Sequence, residues 1–153
     1  GGFIAHSSKA HQSYLRDFAK ALQCPILSVD YSLAPDAQYP QALNEAFYAY
    51  CWCLDNADKL GWTGQSIVLT GDSAGGNLIV SLTILTIEKG VRQPDAIVPI
   101  YPALLGRLIP SPSRLLSTMD PLLSVGALTR CLNAYTGQNE TNDPLVSPLL
   151  ANE

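Results

Sequence analysis

Positive charge is scarce in this chain, with nine Lys and Arg among 153 residues against thirteen Asp and Glu, for a formal net charge of −4. No basic cluster forms anywhere, which argues against nucleic acid or an anionic membrane surface as a main partner. Long hydrophobic runs are missing too. The longest, Leu78–Ile87, is interrupted by Ser81, Thr83 and Thr86 and is too short to cross a bilayer, so no transmembrane segment is expected. Cys24, Cys51, Cys53 and Cys131 show neither the dense spacing of a disulfide scaffold nor paired Cys-x-x-Cys motifs, which predicts free thiols in a reducing compartment and no metal site. Histidine occurs only as His6 and His11. No signal peptide opens the chain, but neither does an initiator Met, so a targeting segment upstream stays open.

What the sequence does have is apolar content, 47 % of residues, enough for one domain with a buried core. Its chemistry gathers at Ser66–Leu78, where the β-branched run Ile67-Val68-Leu69-Thr70 meets Gly71-Asp72-Ser73-Ala74-Gly75 and then a long apolar segment. Strand, sharp turn and helix in that order make a nucleophile elbow. Such a turn lifts the Ser73 side chain clear of the sheet, and Gly71 and Gly75 are expected where a Cβ would collide with a neighbouring element. The alternatives are an ordinary strand-to-helix loop or a phosphate cradle on a helix N-terminus. No Gly-Lys-Ser/Thr follows and the spacing is not Gly-x-Gly-x-x-Gly, which disfavours the cradle.

In chain order, Gly1–Ser8 reads as loop, followed by a helix whose Leu15, Phe18, Ala19 and Leu22 share one face and should pack on a neighbour. Pro25–Asp30 reads as a strand buried on both faces. A helix is expected from Pro40 to about Ala57, a strand at Ser66–Thr70, a helix at Asn77–Lys89 and a strand at Ala96–Tyr101. The third helix is rich in Ile, Val and Thr, whose propensity favours strand, but its length after an elbow favours a buried helix. Gly106–Leu123, rich in Pro and Ser, should run over the surface. A last helix carries Leu128, Cys131, Leu132 and Tyr135, with Gly137 closing it. Gln138–Asp143 reads as a polar loop, and Pro144–Glu153 forms no recognisable element. Short apolar strands alternating with helices predict an α/β fold, a mostly parallel sheet with helices on both faces.

A serine hydroxyl attacks only when an imidazole takes its proton and N–H donors receive the oxyanion. Ala74 N–H is one candidate donor, and the Gly1-Gly2 backbone supplies the others; the plain alternative for Gly1-Gly2 is a flexible chain end.

Four ordered motifs carry a family resemblance: Gly1-Gly2-Phe3, Asp30-Tyr31-Ser32-Leu33-Ala34-Pro35, Gly71–Leu78 and Ser147-Pro148-Leu149-Leu150-Ala151. Together they resemble the hormone-sensitive lipase family of α/β-hydrolases across the whole chain, and Tyr48–Cys53 with Ser111–Leu123 resemble its animal members most. The resemblance implies a cofactor-free carboxylic ester hydrolase acting on acylglycerols, sterol esters and other lipid esters, cytoplasmic and associated with lipid droplets. It implies Ser73 as nucleophile, Gly1, Gly2 and Ala74 as the oxyanion hole, and residues 106–146 as a cap over the acyl pocket. In animal relatives a long regulatory insertion lies between the last helix and the Ser-Pro-Leu-Leu segment, where this chain has only Gln138–Val146.

The family orders its triad Ser, acid, His, yet no histidine follows Ser73. His6 and His11 lie upstream and read as surface or packing residues. Asp120 imitates the family's acid motif but precedes Ser147-Pro148-Leu149, so it is not the acid. Triad acid and base are therefore expected to be absent from residues 1–153, a partial catalytic domain incomplete at both ends. Alone, these residues should neither turn over esters nor fold stably. A non-catalytic ligand-binding relative, or a truncated inactive one, is the alternative.

Overall fold

The computed structural model describes residues 1–137 and 142–152. Its centre is a β-α-β unit. Strand β1 (Val68–Asp72) leads through Ser73 into a helix at Ala74–Lys89, and the chain returns as β2 (Ala96–Ile100), parallel to β1 and in register from Val68 opposite Ala96 to Asp72 opposite Ile100. Before this unit come α1 (Ser8–Leu22) and α2 (Gln41–Asp55), which makes the central helix α3; after it come α4 (Pro112–Leu116) and α5 (Val125–Thr136), with short 3-10 turns at Ala57–Leu60, Ser117–Met119 and Pro148–Leu150.

The lead-ins of both strands are tied by one residue pair. Asp95 N–H donates to Ile67 O at 2.9 Å while Ile67 N–H donates to the Asp95 carboxylate at 2.8 Å. Arg92 adds bonds to Gly64 O, Gln65 O and Asp95. The register is set there, before the ladder begins.

Helix α3 stays helical despite its β-branched residues because tertiary packing outweighs a propensity term of a few tenths of a kcal/mol per residue. Leu78, Ser81, Leu82, Leu85 and Thr86 are buried, and the Thr83 and Thr86 hydroxyls donate back to the Ile79 and Thr83 carbonyls. One side of α3 covers β1 and β2, and α2 packs on α3 through Leu43, Tyr50 and neighbours. Tyr50 OH donates to Arg92 O at 2.6 Å, fixing α2 to the turn that ends α3. Tyr39, just before α2, reaches the far end of the chain twice: its N–H donates to Tyr135 O at 2.8 Å and its OH to the Asp143 carboxylate at 2.7 Å.

Several expectations are corrected. Helix α1 buries none of its residues fully: Leu15 and Ala19 are half-buried, but Phe18 is 50 % and Leu22 69 % exposed, so its apolar face is largely uncovered by the described residues. Pro25–Asp30 joins no ladder among the described residues, and Ile26, Leu27 and Val29 are exposed rather than buried. Leu27–Val29 instead walls an open apolar groove of about 300 Å³ with Tyr48, Ala49 and Trp52 on the outer side of α2. The sheet is parallel as expected, but among the described residues its core layers lie on one face; on the other, Val68, Val98 and Ile100 are exposed. The other two expected strands and α3 begin close to their predicted places, β1 two residues later and α3 three residues earlier.

Gly106–Leu123 runs over the surface as expected, with only α4 and a 3-10 turn in it. Gly137 closes α5 at φ +58°, where a side chain would be strained and would also meet Gln38. Of the polar stretch read as a loop, residues 138–141 lie outside the described residues, as does Glu153; Asn142 and Asp143 sit in a turn. The described part of the last stretch, residues 144–152, is more structured than predicted. Val146 and Ser147 are fully buried, and Pro148–Leu150 forms a 3-10 turn whose Leu149 N–H donates to Leu104 O.

Candidate active site

Ser73 links β1 to α3 at φ +53°, ψ −111°, a left-handed conformation costing a non-glycine residue about 1–3 kcal/mol. Its backbone is held on every side. Ser73 N–H donates to Ile100 O at 2.9 Å, and Ser73 O accepts from Asn77 N–H at 3.1 Å and Ala103 N–H at 3.3 Å. A serine before a helix ordinarily has extended backbone and spends its hydroxyl on a capping bond. Here Ser73 makes no such bond, so the strained geometry keeps Oγ out of the helix's own hydrogen bonding. Ala74 is the first residue of α3, where amides have no intrahelical acceptor and the helix dipole favours negative charge.

Gly71 behaves as expected: a Cβ there would overlap the Gly75 carbonyl carbon at 2.5 Å and its oxygen. Gly75 does not. A Cβ on Gly75 meets nothing within 4 Å, and the second sterically required glycine is Gly76, whose Cβ would lie 2.9 Å from Pro102 Cβ and 3.1 Å from Gly71 O. The signal was available as a Gly-Gly pair after the serine, but the pentapeptide pattern points to the first of the two.

Gly2, Phe3, Ser73, Ala74 and Ala103 line one small pocket of about 50 Å³, closed by Leu123 and by Leu128, Cys131 and Leu132 of α5. Ser73 and Ala74, from the middle of the sequence, are thus brought together with Gly2 from its start. Gly1 is exposed and does not line the pocket; its carbonyl accepts from Ile4 and Ala5 N–H in a turn. Gly2 has φ +64°, and a Cβ on it would come within 2.8 Å of Cys131 Sγ. Phe3 also has φ +64°.

The Asp72 charge reaches two phenols, Tyr31 and Tyr14. Burial first, and then the Asp72 charge, hold Tyr31 above its ordinary pKa, and the same two causes with Tyr101 raise Tyr14. His6 and His11 lie near each other, ring centroids 6.1 Å apart, and neither lines the Ser73 pocket. Asp120 accepts from Leu122 and Leu123 N–H at 2.8 and 3.0 Å; these bonds hold its carboxyl below the usual range, and the residue serves a turn. No group of three or more potential metal ligands occurs among the described residues.

Sequence reasoning missed two supports. Asn77 is buried, and its amide donates to Ala103 O at 2.7 Å and Val146 O at 3.0 Å. Ser147 Oγ accepts from Gly106 N–H at 2.9 Å. Together they pin the loop after β2, which carries the pocket residue Ala103, to α3 and to residues 143–150. Both residues stand inside the quoted motifs, but nothing in their spacing tells which distant backbone they bond.

A family model described as alpha/beta hydrolase fold matches residues 1–153. The chain is 51 % identical to hormone-sensitive lipase of Mus musculus over 137 residues, which is 90 % of this chain and 18 % of that protein. It is 31 % identical to an esterase of Acinetobacter venetianus, covering 97 % of this chain and 48 % of that protein. Among solved structures, an esterase of Pyrobaculum calidifontis superposes with a TM-score of 0.94 at 32 % identity, over 99 % of this chain and 50 % of that one. The chain therefore spans about a fifth of the lipase and half of the esterases it matches. With the motifs, the parallel β-α-β unit and the strained Ser73 in agreement, the chain belongs to the α/β-hydrolase fold family, on its hormone-sensitive lipase branch.

Proposed function

We propose that the protein is a carboxylic ester hydrolase that cleaves acylglycerols and other lipid esters through an acyl-enzyme on Ser73. One observation carries the reading: Ser73 sits strained at a strand-to-helix junction, free of capping bonds, in one apolar pocket with Ala74 and the Gly2 loop. Ser73 Oγ attacks the ester carbonyl; the oxyanion is received by Ala74 N–H and by amides of the Gly1-Gly2 loop; the alcohol leaves, and water releases the acid. No step needs a cofactor. The proton on Oγ requires an imidazole oriented by a carboxylate, and the proposal assigns both to parts of the protein outside residues 1–153.

Residues 106–146 act as the cap of the acyl pocket, supported by Leu123, Leu128 and Leu132 lining it beside Ser73. Lipid substrate fits that lining, and the same reading puts the working protein in the cytoplasm at lipid droplet surfaces. No helix among the described residues is long and apolar enough to cross a membrane.

The test is Ser73→Ala in the full-length protein. Labelling by a fluorophosphonate and ester turnover should both disappear, with kcat down by about 10⁴ or more. Retained hydrolysis sinks the proposal. An unlabelled Ser73 in a folded protein that still binds lipid esters would favour the ligand-binding alternative.

A further inference from the structure

The strained glycine loop needs something to hold it, and the structure shows what does. Gly2 and Phe3 are consecutive residues at φ +64°. The Phe3 ring lies face to face with Tyr135 of α5, centroids 3.7 Å apart and planes within 4°, and both side chains are buried. Phe3 O accepts from Ala34 N–H at 2.9 Å, and one turn earlier on α5 Cys131 Sγ fills the space that a Gly2 side chain would take. Tyr135 is itself fixed from behind, its carbonyl accepting from Tyr39 N–H and its ring meeting Tyr39 edge-on at 5.9 Å. Its hydroxyl has no hydrogen-bond partner among the described residues. The ring is therefore used for its face alone.

We propose that Tyr135 is a positioning residue: by stacking on Phe3 it holds the Gly1–Phe3 backbone in the left-handed turn that aims the loop's amides into the Ser73 pocket. The inference rests on the ester hydrolase reading and adds to it a specific dependence of oxyanion binding on α5. A loop released from the stack relaxes toward ordinary negative φ and turns its amides away. The ester still binds, because the apolar pocket walls remain, and the loss falls on the charged transition state.

The experiment compares Tyr135→Phe with Tyr135→Leu in the full-length protein, using a soluble short-chain ester and a boronic acid that mimics the tetrahedral adduct. Tyr135→Phe keeps the stack and should keep kcat within about twofold. Tyr135→Leu should lower kcat about tenfold or more and weaken boronic acid binding in step, with KM within about threefold, as expected for loss of oxyanion donors. If Tyr135→Leu melts below the assay temperature, Phe3→Leu removes the same ring pair from the loop side and should give the same pattern. An unchanged kcat in the Leu variant, a change confined to KM, or an equal fall in Tyr135→Phe overturns the inference. Absence of activity in the unsubstituted protein, or activity surviving Ser73→Ala, sinks the hydrolase reading instead.

Discussion

The two sides of this molecule differ in how their apolar surface is used. Around Ser73, residues from Phe3, Ala34, α2, α3, α5 and 143–150 close on one another until Leu43, Ser81, Tyr135, Val146 and Ser147 have almost no exposed surface. Elsewhere, α1, Pro25–Asp30 and the outer face of β1 and β2 present Phe18, Leu22, Leu27, Val68 and Val98 to solvent. Similar amphipathic patterns lie on both sides. Periodicity shows that a face is apolar; it does not show whether the surface that covers it lies among the same residues.

The contrast is broken most severely at Gly71. Gly71→Ala forces a Cβ into the Gly75 backbone, which cannot yield as a side chain could, and should cost about 4 kcal/mol or more and remove a cooperative melt in the full-length protein. Gly75→Ala, with open space around it, should be neutral or gain up to about 1 kcal/mol from helix propensity. Comparable losses from both substitutions would show that the elbow's packing is not as described. Next comes Asn77→Ala, which strips donors from two carbonyls, Ala103 O and Val146 O, and should cost about 2–4 kcal/mol, read as a shift in urea midpoint.

A third prediction concerns alkali. Burial first, then the Asp143 charge and hydrogen bond, raise the Tyr39 phenol, and burial first raises Tyr135. A raised folded-state pKa means that the neutral phenol is favoured in the native protein. That stability is complete below the ordinary tyrosine value of 10.0 and is lost as pH climbs above it. Tyr135→Phe should soften the fall in melting temperature above pH 10.0, and an identical profile would argue against Tyr135 as a contributor. The smallest effects belong to the open side: Leu22→Ser or Val68→Thr removes exposed apolar surface and no buried contact, and should lower binding of a hydrophobic dye to the 153-residue chain. Unchanged dye binding would mean that these faces are covered in solution.

The strand–turn–helix at Ser73 was legible because every part of it is local: β-branched residues, glycine at a tight turn, then a long apolar run. Gly137 at the end of α5 was legible for the same reason. The support of the site was not. The partners of Asn77 and Ser147 lie 26 to 69 residues away, and a hydrogen bond to a backbone carbonyl leaves no trace in the identity of the residue that supplies it. Phe3 in a loop and Tyr135 on a helix face likewise carry no sign of each other in the sequence, since only the folded chain stacks them. Pro25–Asp30 misleads because an apolar run shows what a strand would bury and not whether a neighbouring strand lies beside it, and none of the described residues pairs with it.

Tyr39 grips the chain on both sides of residues 137–142, by its N–H at Tyr135 and by its hydroxyl at Asp143. A segment whose two ends are anchored to one residue can change length without passing strain to the rest of the protein. By the entropy of loop closure, each doubling of the length of a connection costs only about 0.6 kcal/mol, less than many single substitutions. Extra sequence inserted between Gly137 and Asp143 would thus be nearly free thermodynamically and would leave Ser73 untouched. The position is a natural port, through which a hydrolase of this kind could acquire or shed an added segment while its chemistry stays the same.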